Sequence, residues 1–538
     1  MQDGDESYDG AGVPAKQSAP DPVHLANLPD AQRADDLGLY SVPRSDMGNA
    51  ERLIKLFGDD LAFVDDGKGK GTGTWYVWDG SIWDSNAGEL AARKRAQRTA
   101  EAVVGEAMRR KARQAKGYET YRDWGFAMQN SSRISNMIRE AAPDLARRRE
   151  DFDADALTLV VQNGTIRLPP RWRSASGGGP VRPVFQGRFN RGDFVSRMLP
   201  VTYDPNARCP KFEGFLDRII PDADVRDFLK CWFGYCLSGD VSAEMLLLFY
   251  GQGANGKSTL LNIMAAILAP YCVTLPFASF QPDKNASGSS HTADISRVEG
   301  MRLVRASEPN GTPVLAEGTI KMQTGREAMY SRDLHEKGRE FMPSHKVVLS
   351  FNKRPVVNAQ DNGTWRRLAM VPFDESIPPD ERVPDLDKII LEEEASGVLN
   401  WMLDGWEIFA SRGYIPHKPE AVRAATEDYQ AASDPLGGWA AESLIFHVQP
   451  QSEGTSKPRP YADPGPNGEN PPRETGAALR ASYEAWAQEA GEEPLGKKRF
   501  GQLLKDHRHM TYRKVSSTFY YGVKVKAGKT GEKKDGMV

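Results

Sequence analysis

The chain alternates between stretches patterned for helices and stretches patterned for strands, with polar breaks between them. Apolar positions at helical spacing mark 50–57, and the period of two in 61–64 and 74–80, around a Gly/Lys-rich break, predicts a hairpin. Residues 89–116 and 130–149 predict helices, the second interrupted at Pro143. Residues 157–161 and 165–168 flank Asn163-Gly164, a strand–turn–strand signature, and 174–192 reads as a Gly/Pro/Ser/Arg-rich loop. Helices follow at 212–220 and 225–237. The apolar run 245–249 reads as a buried strand, and 260–268 as a helix with an apolar face. Two more strands are predicted at 301–307 and 346–351, with a hairpin at 328–342 between them. Helices at 396–412, stopped by Gly413, and at 418–434 complete this part. After a Pro/Gly-rich break come helices at 475–489 and 497–506 and strands at 510–515 and 518–525.

These patterns divide the 538 residues, enough for three or four domains. Residues 1–47, rich in Asp, Pro, Gly, Ala and Ser, read as a disordered tail. An α+β region over 48–200 precedes an α/β core over 201–375 and a helical extension over 376–448. A linker at 449–474 leads to a helix–helix–hairpin unit over 475–525 that fits a winged helix, and 526–538 reads as a frayed end.

Composition adds limits. Charged residues are 27% and hydrophobic ones 39%, as in a soluble globular protein. The net charge of -3 offers no global basic field, so any nucleic-acid site must be a local patch. Two patches qualify. Arg93, Lys94, Arg95, Arg98, Arg109, Arg110, Lys111, Arg113 and Lys116 crowd one predicted helix, as a solvated face or as a surface tracking phosphates. Lys498, Arg499, Lys505 and Arg513 make the C-terminal unit basic, which favours DNA binding over a protein-docking role. Trp75, Trp78 and Trp83 can stack on bases, but core packing is the favoured reading. The four cysteines show no metal-ligand spacing and read as reduced thiols of a cytoplasmic protein. The eight histidines are scattered, and no apolar run is long enough to span a membrane.

The strongest chemical signal is Gly251-x4-Gly256-Lys257-Ser258, placed between a predicted strand and a predicted helix. Gly251, Gly253 and Gly256 permit a tight turn whose N–H groups point inward, flanked by Ala254 and Asn255. The helix N-terminus, with Ser258 and Thr259, favours a phosphate. Lys257 is the charge for the β- and γ-phosphates of ATP, and Ser258 the hydroxyl for Mg2+. Glu308 follows a predicted strand, where a carboxylate can polarise water and help hold the metal; it can equally be an ordinary strand-end acid. Asn352 ends another strand and can hydrogen-bond a γ-phosphate or the water. Arg366 and Arg367 are candidates for a finger reaching in from a neighbouring subunit, with at least one of the two structural. His335 and Lys337 fall near the tip of the 328–342 hairpin.

In order, these pieces resemble the superfamily 3 helicases, in particular the phage/plasmid primase-helicase group with poxvirus-type helicase domains. The resemblance rests on 251–259, 302–308, 321–325 with Arg332, the strand ending in Asn352, and Trp365-Arg366-Arg367. Upstream it extends through Asn163-Gly164, Tyr203-Asp-Pro205 and Gly234-Tyr235. It implies a P-loop, AAA+-like core with an N-terminal helicase-associated domain and a C-terminal winged helix. It also implies a homo-oligomeric ring, with six subunits expected, acting on single- and double-stranded DNA. Lys257 and Ser258 would bind nucleotide and magnesium, Glu308 would be the hydrolytic acid and Asn352 the sensor. Arg366 or Arg367 would act in trans, and His335 and Lys337 would line the pore. Two departures stand out: Ser307 precedes Glu308 where many members have a second acid, and Gly325-Arg326-Glu327 replaces a frequent Gly-Gly-Asp. The polar start of the chain leads us to expect a helicase without primase activity, served by a separate primase or replisome proteins. The expected function is ATP-dependent unwinding in phage or mobile-element DNA replication. The rivals are an origin-melting initiator and a DNA-binding loader or scaffold without processive unwinding.

Overall fold

The computed structural model describes residues 22–67, 72–170, 182–282, 294–307, 314–331, 338–357, 362–434, 436–447, 472–506, 510–514 and 517–527. It forms two compact units. One runs through Ala154 and takes in Phe189–Arg197; the other holds Asp155–Arg188 and the chain from Met198 on.

The first unit starts within the stretch expected to be a tail. Helices Pro22–Ala26 and Pro29–Asp36 precede residue 47, and Ala31, Ala34 and Leu39 are fully buried. The expectation of disorder is therefore corrected for 22–47. The reason is close packing on the long helix Gly88–Ala112: a Cβ at Gly105 would lie 2.5 Å from Ala31 Cβ, so only glycine admits the approach. The same contact changes the reading of the basic helix. Arg98 pairs with Asp30 at 2.7 Å, and Arg109 and Arg113 pair with Asp35 at 3.2 and 2.7 Å. Helix Tyr118–Met128, which the pattern did not signal, packs beside it, and helix Ser131–Ala141 ends before Pro143. The hairpin Leu61–Asp65/Gly73–Trp78 forms antiparallel. Trp75 and Trp83 are buried, and Trp83 Nε1 donates to Arg191 O at 2.8 Å, so these rings serve the core.

The second unit opens with the antiparallel strands Thr158–Val161, Gly164–Arg167 and Val184–Gln186, the last inside the expected loop. The Asn163 side chain accepts from Tyr203 N and donates to Tyr203 O, which joins two motif residues far apart in sequence. The centre is a five-stranded parallel sheet in the order Leu368–Pro372, Leu246–Tyr250, Lys346–Phe351, Leu303–Ser307, Cys272–Thr274. The central strands are apolar on both faces at 246–249, 347–349 and 368–371, as a covered parallel sheet requires. Leu247, Phe249, Val348 and Val371 face a core shared with helices Ala223–Tyr235, Lys257–Leu268 and Leu386–Ser411. Leu246, Leu248, Val347, Leu349 and Met370 face the other core, with Ile320 of helix Glu317–Thr324 and Tyr429 of helix Glu420–Ser433. Helix Leu386–Ser411 begins well before the expected 396.

The C-terminal cluster also starts earlier than the linker suggested. Helix Gly437–Ser443 and strand Leu444–Phe446 belong to it, the strand pairing antiparallel with Val523–Val525. Trp439 is fully buried against Tyr483 and Phe500, and its Nε1 donates to Ser482 Oγ at 3.1 Å. Helices Gly476–Ala490 and Lys497–Asp506 and strands Thr511–Lys514 and Thr518–Tyr521 follow as patterned. The interval 449–471 lies outside the described residues.

Candidate nucleotide-binding site

Strand Leu246–Tyr250 runs into the glycine-rich loop, and helix Lys257–Leu268 leaves it. Gly253, Ala254 and Gly256 take φ of 97°, 50° and 77°, the left-handed region that turns successive N–H groups to one side. Gly251 is required by a close approach: a Cβ there would lie 2.1 Å from Asn255 Nδ2 and 2.3 Å from Phe373 O. Asn255 is buried and donates through Nδ2 to Phe373 O at 3.0 Å, tying the loop to the end of the neighbouring strand. Ile377 N donates to Ala254 O at 2.8 Å.

Lys257 is buried, only 4% exposed. Its ammonium donates to Gly251 O at 2.7 Å, Asn255 Oδ1 at 2.8 Å and Asn352 Oδ1 at 3.2 Å. Asn352 reaches it because Phe351 pairs with Tyr250, so both strands end on the same edge. Ser350 pairs with Ser307, which puts the end of strand Leu303–Ser307 on that edge too. Glu308 itself lies outside the described residues. Ser258 is exposed in the first helical turn, with Thr259 half-buried beside it. A cavity of about 520 Å³ adjoins the loop, lined by Gly251–Gly253, Asn255 and Phe373–Ser376. Sequence reasoning passed over Asp374, Glu375 and Ser376. Their signal is that they directly follow the strand that pairs with Leu246–Tyr250.

The donor set suits a phosphate chain: a buried cation, a helix N-terminus and left-handed backbone in one cradle. For magnesium, the Ser258 hydroxyl is a suitable hard oxygen ligand. Among the described residues there is no group of three or more His, Cys, Asp or Glu side chains that could hold a metal. Ser258 and phosphate oxygens would hold a metal here, with Glu308, outside the described residues, as the expected acid beside them.

Arg366 and Arg367 are not brought to this edge. They precede Leu368, which pairs with Leu246, at the opposite end of strands about 13 Å long. Arg367 Nη1 lies 2.8 Å from Glu244 Oε2 and Arg366 Nη2 3.7 Å from the same oxygen. The hairpin forms as Met329–Ser331 against Arg339–Phe341, but His335 and Lys337 lie outside the described residues. In the C-terminal cluster Lys498, Arg499 and Lys505 are exposed, with Lys505 Nζ 5.4 Å from the Tyr512 ring centre. Arg513 stands opposite Phe519 in its strand pair.

The architecture is that of a mixed α/β protein with a parallel sheet. Its sequence matches the family described as D5 N terminal like over residues 50–221. A protein of Acanthamoeba polyphaga mimivirus named "Putative helicase" is 32% identical over 160 residues, 30% of this chain and 17% of that protein. One from Frog virus 3, with the same name, is 25% identical over 250 residues, 44% of this chain and 26% of its own length. A "Putative primase" of African swine fever virus is 24% identical over 153 residues, 28% of this chain and 16% of that protein. The matched stretches thus span well under a third of these relatives. Together the matches support a superfamily 3 primase-helicase-type protein. Among the described residues no helix is long and apolar enough to cross a membrane.

Proposed function

We propose that this chain is an ATP-dependent DNA helicase of the superfamily 3 type, working as a hexameric ring in the replication of phage or mobile-element DNA. One observation carries the nucleotide part: buried Lys257 is held by Gly251 O, Asn255 and Asn352 at the edge where the parallel strands end. An ammonium kept in oxygen contacts can exchange them for phosphate oxygens with little reorganisation. The loop N–H groups and the start of helix Lys257–Leu268 would complete the cradle. Ser258 would hold magnesium, which neutralises phosphate charge when bound. Asn352 would orient the γ-phosphate or the attacking water, and Glu308 would polarise that water.

Arg366 or Arg367 would act on the nucleotide of the adjacent subunit, since both stand at the far end of their own strand from their own loop. The pore hairpin would grip one strand through His335 and Lys337. Lys498, Arg499, Lys505 and Arg513 would meet duplex phosphates, with the C-terminal cluster acting as a winged helix. The test is Lys257→Ala. It should abolish ATP turnover and duplex unwinding while its melting temperature stays near that of the unaltered chain. Turnover at the ordinary rate would overturn the assignment.

A further inference from the structure

Glu244 stands just before the first strand of the parallel sheet, the function above leaves it unused, and three guanidiniums converge on it. Arg367 Nη1 lies at 2.8 Å and Arg366 Nη2 at 3.7 Å from Oε2, while Arg326 Nε lies 3.2 Å from Oε1. Glu244 takes φ 45°, an unusual backbone setting for a residue with a long side chain. The group borders a second cavity of about 550 Å³, on whose wall Lys321 and Glu327 also lie. Lys321 pairs with Glu317 at 2.6 Å, and the three arginines that meet Glu244 are Arg326, Arg366 and Arg367.

The two arginines of the pair are not equivalent. Arg367 is 14% exposed, donates to Thr324 Oγ1 at 3.3 Å as well as meeting Glu244, and is fixed in place. Arg366 is 68% exposed and meets Glu244 only at the longer distance. The backbone on both sides of Arg367 is clamped, because Lys418 Nζ donates to Arg366 O at 3.0 Å and to Leu368 O at 2.5 Å. A fixed base, one anchored guanidinium and one loosely tethered exposed guanidinium are what a reaching arginine needs. A phosphate oxygen presented from outside can take the tethered group from a carboxylate at 3.7 Å far more easily than the anchored one.

We propose that Glu244 is a positioning residue: it anchors Arg367 and holds Arg366 ready, and Arg366 is the arginine that enters the neighbouring subunit's nucleotide site. This rests on the reading that the pair acts in trans. Glu244→Gln keeps the size and loses the charge, so Arg366 is no longer held. Turnover should fall about tenfold to a hundredfold with the KM for ATP little changed. Arg366→Ala should cost about a thousandfold, and Arg367→Ala no more than Glu244→Gln.

The deciding experiment mixes full-length variants and follows ATP turnover, with mixed rings verified by mass. Inactive Arg366→Ala mixed with inactive Lys257→Ala should regain turnover at interfaces that combine an intact loop with an intact arginine. No recovery would sink the trans reading itself. Mixing Glu244→Gln with inactive Lys257→Ala should raise turnover per Glu244→Gln subunit, because the Lys257→Ala neighbour supplies a well-held Arg366. If the trans reading holds but this mixture shows only dilution, Glu244 serves its own subunit's fold and the proposal fails. Should Glu244→Gln not fold, Glu244→Asn, which also loses the charge and suits a left-handed backbone, is mixed in the same way, with the same two outcomes. A deeper loss from Arg367→Ala than from Arg366→Ala would overturn the division between them.

Discussion

Lys257 Nζ and Asn352 Oδ1 stand 3.2 Å apart, so the end of one strand touches the first residue of the helix that follows another. The two side chains can meet one phosphate oxygen from two sides. Asn352→Ala should lower kcat about a hundredfold and change KM by no more than a few-fold, as expected of a group that acts on developing charge. A raised KM with unaltered kcat would show that Asn352 serves ground-state binding.

Asn255 bridges the loop to the neighbouring strand, accepting from Lys257 through Oδ1 and donating to Phe373 O through Nδ2. Asn255→Asp has the same shape but no donor for Phe373 O, and its carboxylate holds the Lys257 ammonium more strongly. Nucleotide affinity should drop about tenfold by titration. Affinity equal to that of the unaltered chain would count against the bridge.

Gly256 combines φ 77° with crowding: a Cβ there would sit 2.7 Å from Ile219 Cγ2 and 3.0 Å from Phe215 Cε2. Gly256→Ala should destabilise the second unit by about 1–3 kcal/mol, read by denaturant unfolding. Gly253 has φ 97°, and a Cβ there would meet no heavy atom within 4 Å, so the same substitution should bring only the backbone cost.

In the first unit, Glu106 is buried, and Tyr121 Oη donates to it at 2.7 Å and Tyr40 N at 3.0 Å. Burial pushes its carboxyl from the ordinary 4.5 up to about 7, against the pull of those two donors. The folded state therefore keeps a proton that the unfolded state has released between pH 4.5 and 7. This contribution to stability is full below that window and is lost as pH rises through it, by at most about 3 kcal/mol. Glu106→Gln should flatten the slope of stability against pH between 4.5 and 7; an unchanged slope would place the titration elsewhere.

The boundary of the C-terminal cluster predicts how the chain can be cut. Removal of 475–538 strips Tyr483 and Phe500 from Trp439 and Val523–Val525 from Leu444–Phe446. That protein should aggregate or melt early. A cut after Asp434 removes the whole cluster and should leave ATP turnover largely intact. It should also weaken duplex binding and reduce its dependence on salt, since several phosphate contacts go together. Full duplex affinity after that cut would show that 498–513 do not carry it.

Much of the candidate nucleotide site is written locally. The strand at 246–250, the loop and the helix from Lys257 span a short stretch of chain, and glycine freedom, a buried apolar run and a helix N-terminus act at that range. The hairpin at 61–78 and the strand 346–351 are legible for the same reason. What local pattern does not hold is which strands lie side by side. The order that sets Leu368–Pro372 beside Leu246–Tyr250 places Phe373 O against Asn255, and the register that aligns Phe351 with Tyr250 brings Asn352 to Lys257. It also sends Arg366 and Arg367 to the far edge and onto Glu244. Residues 22–47 look like a tail because alanine and aspartate carry no periodic signal. They are ordered because Gly105, far along the chain, leaves room for Ala31, and because Arg98 and Arg109 meet Asp30 and Asp35. Motif chemistry is short-range and survives in the sequence; contacts between strand ends and between distant helices arise only when long-range burial selects one arrangement of the chain.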